Sequence, residues 1–131
     1  MELMYATPGS VGLDLCANAI AVIEPGEWEV IPTGITGPEL FGELPNNTYA
    51  MVCPRSGLAA SQGITVLNAP GIIDRDFGDE VCVVLINHGP REAWITPGER
   101  IAQAVFAKRV VNLDFGIRHG ERVGGFGSTG R

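Results

Sequence analysis

The sequence predicts an all-β fold, and three observations predict it. Eighteen glycines and nine prolines stand among 131 residues, an abundance that marks many tight turns. The apolar runs between them are short and rich in β-branched residues, which favour strands. A single stretch, 54–63, carries helix signals. At 45% apolar and 18% charged, the chain reads as one globular domain long enough to bury a core.

The elements follow in order. Thr7-Pro8-Gly9-Ser10 is a turn. Leu13-Asp14-Leu15-Cys16-Ala17 is strand-like, with one carboxylate among apolar neighbours, so Asp14 needs a partner or an open site. Pro25-Gly26 separates two short strands within 21–31, and Val30 to Ile35 continues the pattern. Residues 37–47, rich in Gly, Pro and Asn, read as a loop, and Thr48 to Cys53 as a strand. In Pro54-Arg55-Ser56-Gly57-Leu58-Ala59-Ala60-Ser61-Gln62-Gly63 the sequence predicts one very short helix. Ser56 is placed as its N-cap and Gly63 as its stop. An arginine, a hydroxyl and free N–H groups at a helix start suit an anion.

Ile64 to Leu67 leads into the most acidic stretch, where Asp74, Asp76, Asp79 and Glu80 fall within seven residues. Ile72-Ile73 on one side and Val81 to Ile86 on the other predict a hairpin-like element with Asp74 at its tip. The second run is continuously apolar and reads as buried on both faces. His88 sits in an exposed turn. Ala93-Trp94-Ile95 and Arg100 to Phe106 are strands, with Trp94 and Phe106 expected in the core and Gln103 in need of hydrogen-bond partners. The tail ends Gly124-Gly125-Phe126-Gly127-Ser128-Thr129-Gly130-Arg131. Its glycines let backbone N–H groups approach an anion, so it reads as an arm that orders over a phosphate ligand.

The formal charge of −6 argues against a general nucleic-acid binder, but a few placed arginines can still hold a small anion. No apolar run approaches a membrane span and no leader pattern opens the chain. Cys16, Cys53 and Cys82 are odd in number and form no CxxC pair. They read as reduced core residues, which fits a cytoplasmic protein.

Together these segments resemble the trimeric dUTPase family. Gly12-Leu13-Asp14-Leu15 is similar to its first motif, and Pro54-Arg55-Ser56-Gly57-Leu58-Ala59 to the second. Gly71-Ile72-Ile73-Asp74-Arg75-Asp76-Phe77 is similar to the third, Gly98-Glu99-Arg100-Ile101-Ala102-Gln103 to the fourth, and Gly124 to Gly130 to the fifth. Five motifs in order span nearly the whole chain. The resemblance implies a homotrimer of jelly-roll-like distorted β-barrels, with a domain over 1–120 and a Gly-rich arm over 121–131 that closes on a neighbouring subunit. It implies cleavage of dUTP to dUMP and pyrophosphate with Mg²⁺, with no nucleic-acid or membrane partner.

Residue by residue, Asp74 would be the general base for water attack on the α-phosphorus. Arg55, Ser56, Gly57 and Gln103 would hold the phosphates, joined from the arm by Arg122, Ser128 and Thr129. Backbone around Gly71, Ile72 and Ile73, supported by Asn68, would read uracil. Phe77 would lie against the deoxyribose, Phe126 would stack on uracil, and Asp14 would reach Mg²⁺ through water. The chain departs from the family in four places. Phe77 stands where a tyrosine is usual, and Gly78-Asp79 where Arg or Gln then Gly is usual. Glu121 stands at the arm arginine, with Arg122 one residue later. The family's strand before Tyr5-Ala6-Thr7 is expected to be absent or removed. The resemblance leaves two alternatives, dCTP deamination on the same scaffold and a nucleotide-gated regulatory binding protein. The second and third motifs favour the pyrophosphatase over the deaminase, and no segment marks a regulatory partner surface.

Overall fold

The computed structural model describes residues 3–110 together with Gly120 and Arg122. Nine strands and two short helices follow one another along them: β1 (Leu13–Cys16), β2 (Ala21–Ile23), β3 (Trp28–Thr36), α1 (Gly37–Phe41), β4 (Thr48–Cys53), α2 (Ser56–Gln62), β5 (Ile64–Val66), β6 (Gly71–Ile73), β7 (Glu80–Asn87), β8 (Ala93–Ile95) and β9 (Arg100–Lys108). Every strand pair is antiparallel. The sheets have the orders β1-β9-β4-β6, β3-β7-β5 and β2-β8. The predicted all-β class is the one observed.

The core is built from the inward positions of alternating strands. Leu13 and Leu15 of β1, Ala50 and Val52 of β4, Val81, Val83 and Leu85 of β7, and Ala102 and Ala104 of β9 are buried together. Phe41 of α1 is also buried, edge-to-face with Phe106 at 5.9 Å between ring centres. Two buried polar side chains are fully engaged. The Thr33 hydroxyl donates to the Val81 carbonyl at 2.6 Å. The Asn87 amide donates to the Ile23 and Arg91 carbonyls and accepts from the Gly89 N–H. Each would otherwise be a costly orphan.

Several expectations are corrected. Residues 37–47 are not all loop, because α1 occupies 37–41. It carries a capping box between Thr36 and Glu39, with Pro38 in the first turn. Among the described residues there are therefore two short helices rather than one. Arg55, not Ser56, is the N-cap of α2, and no side-chain hydrogen bond caps that helix. Ser56 is its first helical residue. Gly63 ends it in the left-handed region, φ 71°, as expected.

Residues 71–87 form no hairpin, since β6 pairs with β4 while β7 pairs with β3 and β5. The segment around Asp74 is a turn between sheets. β7 is not buried on both faces: Cys82 and Val84 are partly exposed. Trp94 is 61% exposed. It faces outward opposite Val22, and its indole N–H donates to the Glu92 carboxylate. All three cysteines are free and only half-buried. Among the described residues no helix is long and apolar enough to cross a membrane.

Candidate active site

One group of expected residues gathers where β1, β9 and β4 lie side by side. Register pairs Gln103 with Asp14 on one flank and with Cys53 on the other. The Gln103 amide donates to the Pro54 carbonyl at 3.0 Å, fixing the chain just before Arg55. The Arg55 guanidinium reaches back to the Arg100 carbonyl at 3.3 Å. Asp14, mostly buried, finds its partner in Arg100 at 3.6 Å. Burial and then the Asp14 carboxylate push the Cys16 thiol up, against the opposing pull of Arg100 and Arg55. That thiol stays protonated in this cluster of charges.

Gly12 is needed here because of a close approach. A Cβ at this position would collide with the Gln103 carboxamide and lie 2.8 Å from its Cβ. Gly57 shows no such constraint, since a Cβ there would meet open space. The first turn of α2, opening at Ser56, is left to offer its N–H groups outward.

The second group lies along β6. Gly71 pairs with Val52, and the Asn68 amide packs against the Gly71 backbone. Ile73 pairs with Ala50, and Ile72 between them is 58% exposed. Asp74 follows directly, half-exposed, and its carbonyl accepts from the Phe77 N–H at 3.1 Å. The Gly78-Asp79 exit is fixed by α1, because the Gly37 N–H donates to the Asp79 carbonyl at 2.9 Å. Gly37 is required there, since a Cβ would collide with the Phe77 carbonyl. A cleft of about 350 Å³ opens beside Asp74, bordered by Thr48, Tyr49 and Arg109 among others.

Arg122 joins this second group. Its Nη1 donates to Asp74 Oδ2 at 2.5 Å and lies 3.9 Å from Asp76 Oδ1. Its guanidinium carbon stands 5.4 Å from the Phe77 ring centre. The expected phosphate ligand therefore sits, in this chain, on the expected base and sugar wall. Phe126, Ser128 and Thr129 lie outside the described residues.

The two groups do not converge within one chain. Asp74 lies beside the start of β4, and Gln103 beside its end. Four residues of strand separate them, about 13 Å at the usual rise. Gln103 moreover points away, toward Pro54. Among the described residues, no three His, Cys, Asp or Glu side chains are arranged to cage a metal. A lone carboxylate such as Asp14 suits a water-mediated Mg²⁺ contact, because magnesium keeps several of its waters.

Sequence reasoning did not name Arg100, Gly12 or Gly37 as contributors. The need of Asp14 for a partner or an open site is the sequence signal that bears on Arg100. The two glycines act through close approaches that only the fold reveals.

A model of the dUTPase family matches residues 2–130. The chain belongs to the dUTPase family. A deoxyuridine 5'-triphosphate nucleotidohydrolase of Anaeromyxobacter sp. (strain Fw109-5) is 43% identical over 132 residues, covering 97% of this chain and 86% of that protein. The dUTPase of Streptococcus mutans superposes with a TM-score of 0.73 at 20% identity, over 84% of this chain and 87% of that one. The Staphylococcus bacteriophage 80alpha dUTPase superposes with a TM-score of 0.75 at 17% identity, over 95% and 92%. At such identities the structural likeness shows a shared dUTPase fold.

Proposed function

We propose that the protein hydrolyses dUTP to dUMP and pyrophosphate, which limits uracil incorporation into DNA and supplies dUMP for dTMP synthesis. The observation that carries this reading is the row formed by Asp14, Gln103 and the Arg55-Ser56 corner. It is an anion-binding half-site with one carboxylate at its edge, as a metal-bridged polyphosphate requires.

In this reading Asp74 accepts a proton from the water that attacks the α-phosphorus. The bond to the bridging oxygen breaks, and pyrophosphate leaves with that electron pair. Arg55, Ser56, Gly57 and Gln103 hold the phosphates in line. Asp14 would hold Mg²⁺ through water, and the bound ion would supply neutralisation of the polyphosphate charge. The main chain of 71–73, with Asn68 behind it, reads the uracil edge, and Phe77 leaves no room for a 2′-hydroxyl. In the arm, 121–131, Phe126 stacks on the base while Ser128 and Thr129 take the terminal phosphate, and closure excludes water. Arg122 exchanges the Asp74 carboxylate for phosphate as the arm closes. The separation of Asp74 from the Arg55 corner supports a site assembled from different copies of the chain, as in a homotrimer.

The test is pyrophosphate release with Mg²⁺ from dUTP, dCTP, dTTP and UTP. Release from dUTP alone is the expected result. Cleavage of UTP as well would show that Phe77 does not gate the sugar. No release from any of the four would overturn the proposal, and a uracil nucleotide formed from dCTP would replace it with deamination.

A further inference from the structure

The turn that carries Asp74 is clamped at both ends of α1. At the far end the Gly37 N–H holds the Asp79 carbonyl. At the near end Arg75, the residue after Asp74, reaches across the loop that follows α1. Its Nε and Nη2 both donate to the Leu44 carbonyl, at 3.3 and 2.9 Å, and Nη2 also approaches the Gly42 carbonyl at 3.5 Å. Its guanidinium carbon stands 5.2 Å from the centre of the Phe41 ring.

That ring is 1% exposed and rests on Phe106 of β9, so the platform beneath Arg75 belongs to the rigid core. α1 has no basic residue in its last turn. Arg75 instead supplies donors, from another part of the chain, to the carbonyls of the loop that follows α1. A planar guanidinium can stack and donate twice in one geometry, which an ammonium cannot.

We infer that Arg75 is a positioning residue for the hydrolytic reaction: by locking the turn to the α1 platform it fixes the direction of the Asp74 carboxylate. The inference rests on the proposed role of Asp74. The Arg75 guanidinium is engaged by the Leu44 and Gly42 carbonyls and the Phe41 ring. Its effect is on the placement of the attacking water, and a misplacement of about 1 Å can cost on the order of a hundredfold in rate.

The experiment measures kcat and KM for dUTP, with melting temperature, on wild type, Arg75→Ala and Arg75→Lys. The expected result is a kcat lower by about tenfold to a hundredfold in Arg75→Ala, with KM within about twofold. Arg75→Lys should fall between, and added guanidinium ion should restore part of the Arg75→Ala turnover. If Arg75→Ala does not fold, the kcat-to-KM split in Arg75→Lys carries the same test. A lower melting temperature with wild-type kcat would overturn the positioning role alone. A wild type without dUTP turnover would overturn the reading beneath it.

Discussion

Gly12→Ala tests whether the proposed phosphate half-site depends on the close passage of two strands. The new methyl would overlap the Gln103 carboxamide and lie 2.7 Å from its Cδ and 2.8 Å from its Cβ. The carboxamide can rotate away, but the Cβ belongs to β9 and cannot. Gln103 must then release the Pro54 carbonyl, a loss of about 1 kcal/mol. It must also take a strained rotamer, for about 1 kcal/mol more. A total of about 2 kcal/mol corresponds to roughly thirtyfold in kcat/KM for dUTP. The assay is a double-mutant cycle with Gln103→Gly, which removes the three atoms nearest the methyl. Gly12→Ala should cost roughly thirtyfold alone and nearly nothing in the Gln103→Gly background. Wild-type kcat/KM in Gly12→Ala, or losses that simply add, would refute the reasoning.

Other expectations follow from the same site. Asp74→Asn should leave folding and nucleotide affinity intact and lower kcat by about a hundredfold or more, read by steady-state kinetics with a binding titration. Mixed with inactive Arg55→Ala under subunit exchange, it should regain turnover, since the two defects lie in different half-sites; a persistently dead mixture would place both in one chain. Removing residues 123–131 should abolish turnover without moving the melting temperature, and loss of folding would make the arm structural. Hydrogen bonds from the Thr36 N–H and hydroxyl hold the Glu39 carboxyl below its ordinary value of 4.5. Its stabilisation is therefore present above that value and lost as pH falls through the lowered one. Glu39→Gln should cost stability at neutral pH by a margin that narrows in acid, measured by urea unfolding across pH.

Much of this fold was legible because strands and turns are local. Val81 to Ile86 and Ala93-Trp94-Ile95 are read from apolar runs between Gly and Pro, and Gly63 stops α2 where a left-handed residue is needed. Pairing is not local. β6 and β7 are neighbours in sequence yet join different sheets, and nothing in residues 71–87 announces it. Trp94 illustrates a second limit, since a strand alternates faces and bulk alone does not say which face is dry. α1 escaped notice because five residues carry little periodicity, although Thr36 and Glu39 at capping-box spacing, with Pro38 between, were a usable sign. In the candidate site, the residues proposed to act were legible as motifs in order. Their division into two groups was not, because it depends on which end of β4 each neighbour meets. The ion pair of Arg122 with Asp74 was likewise hidden, as the two lie 48 positions apart.

The outermost place of β6 has a consequence for how this protein can change. Its far edge has no strand beside it among the described residues, so its N–H and C=O groups are free to face a partner. Groups of that kind are identical in every non-proline residue. A base read along such an edge is read by peptide units, and replacing Ile72 by another β-forming residue would leave the lettering unchanged. Selectivity written in this way is shielded from drift in the side chains that carry it. It also escapes a conventional alanine scan, which can report what the side chains contribute but is blind to the amides between them.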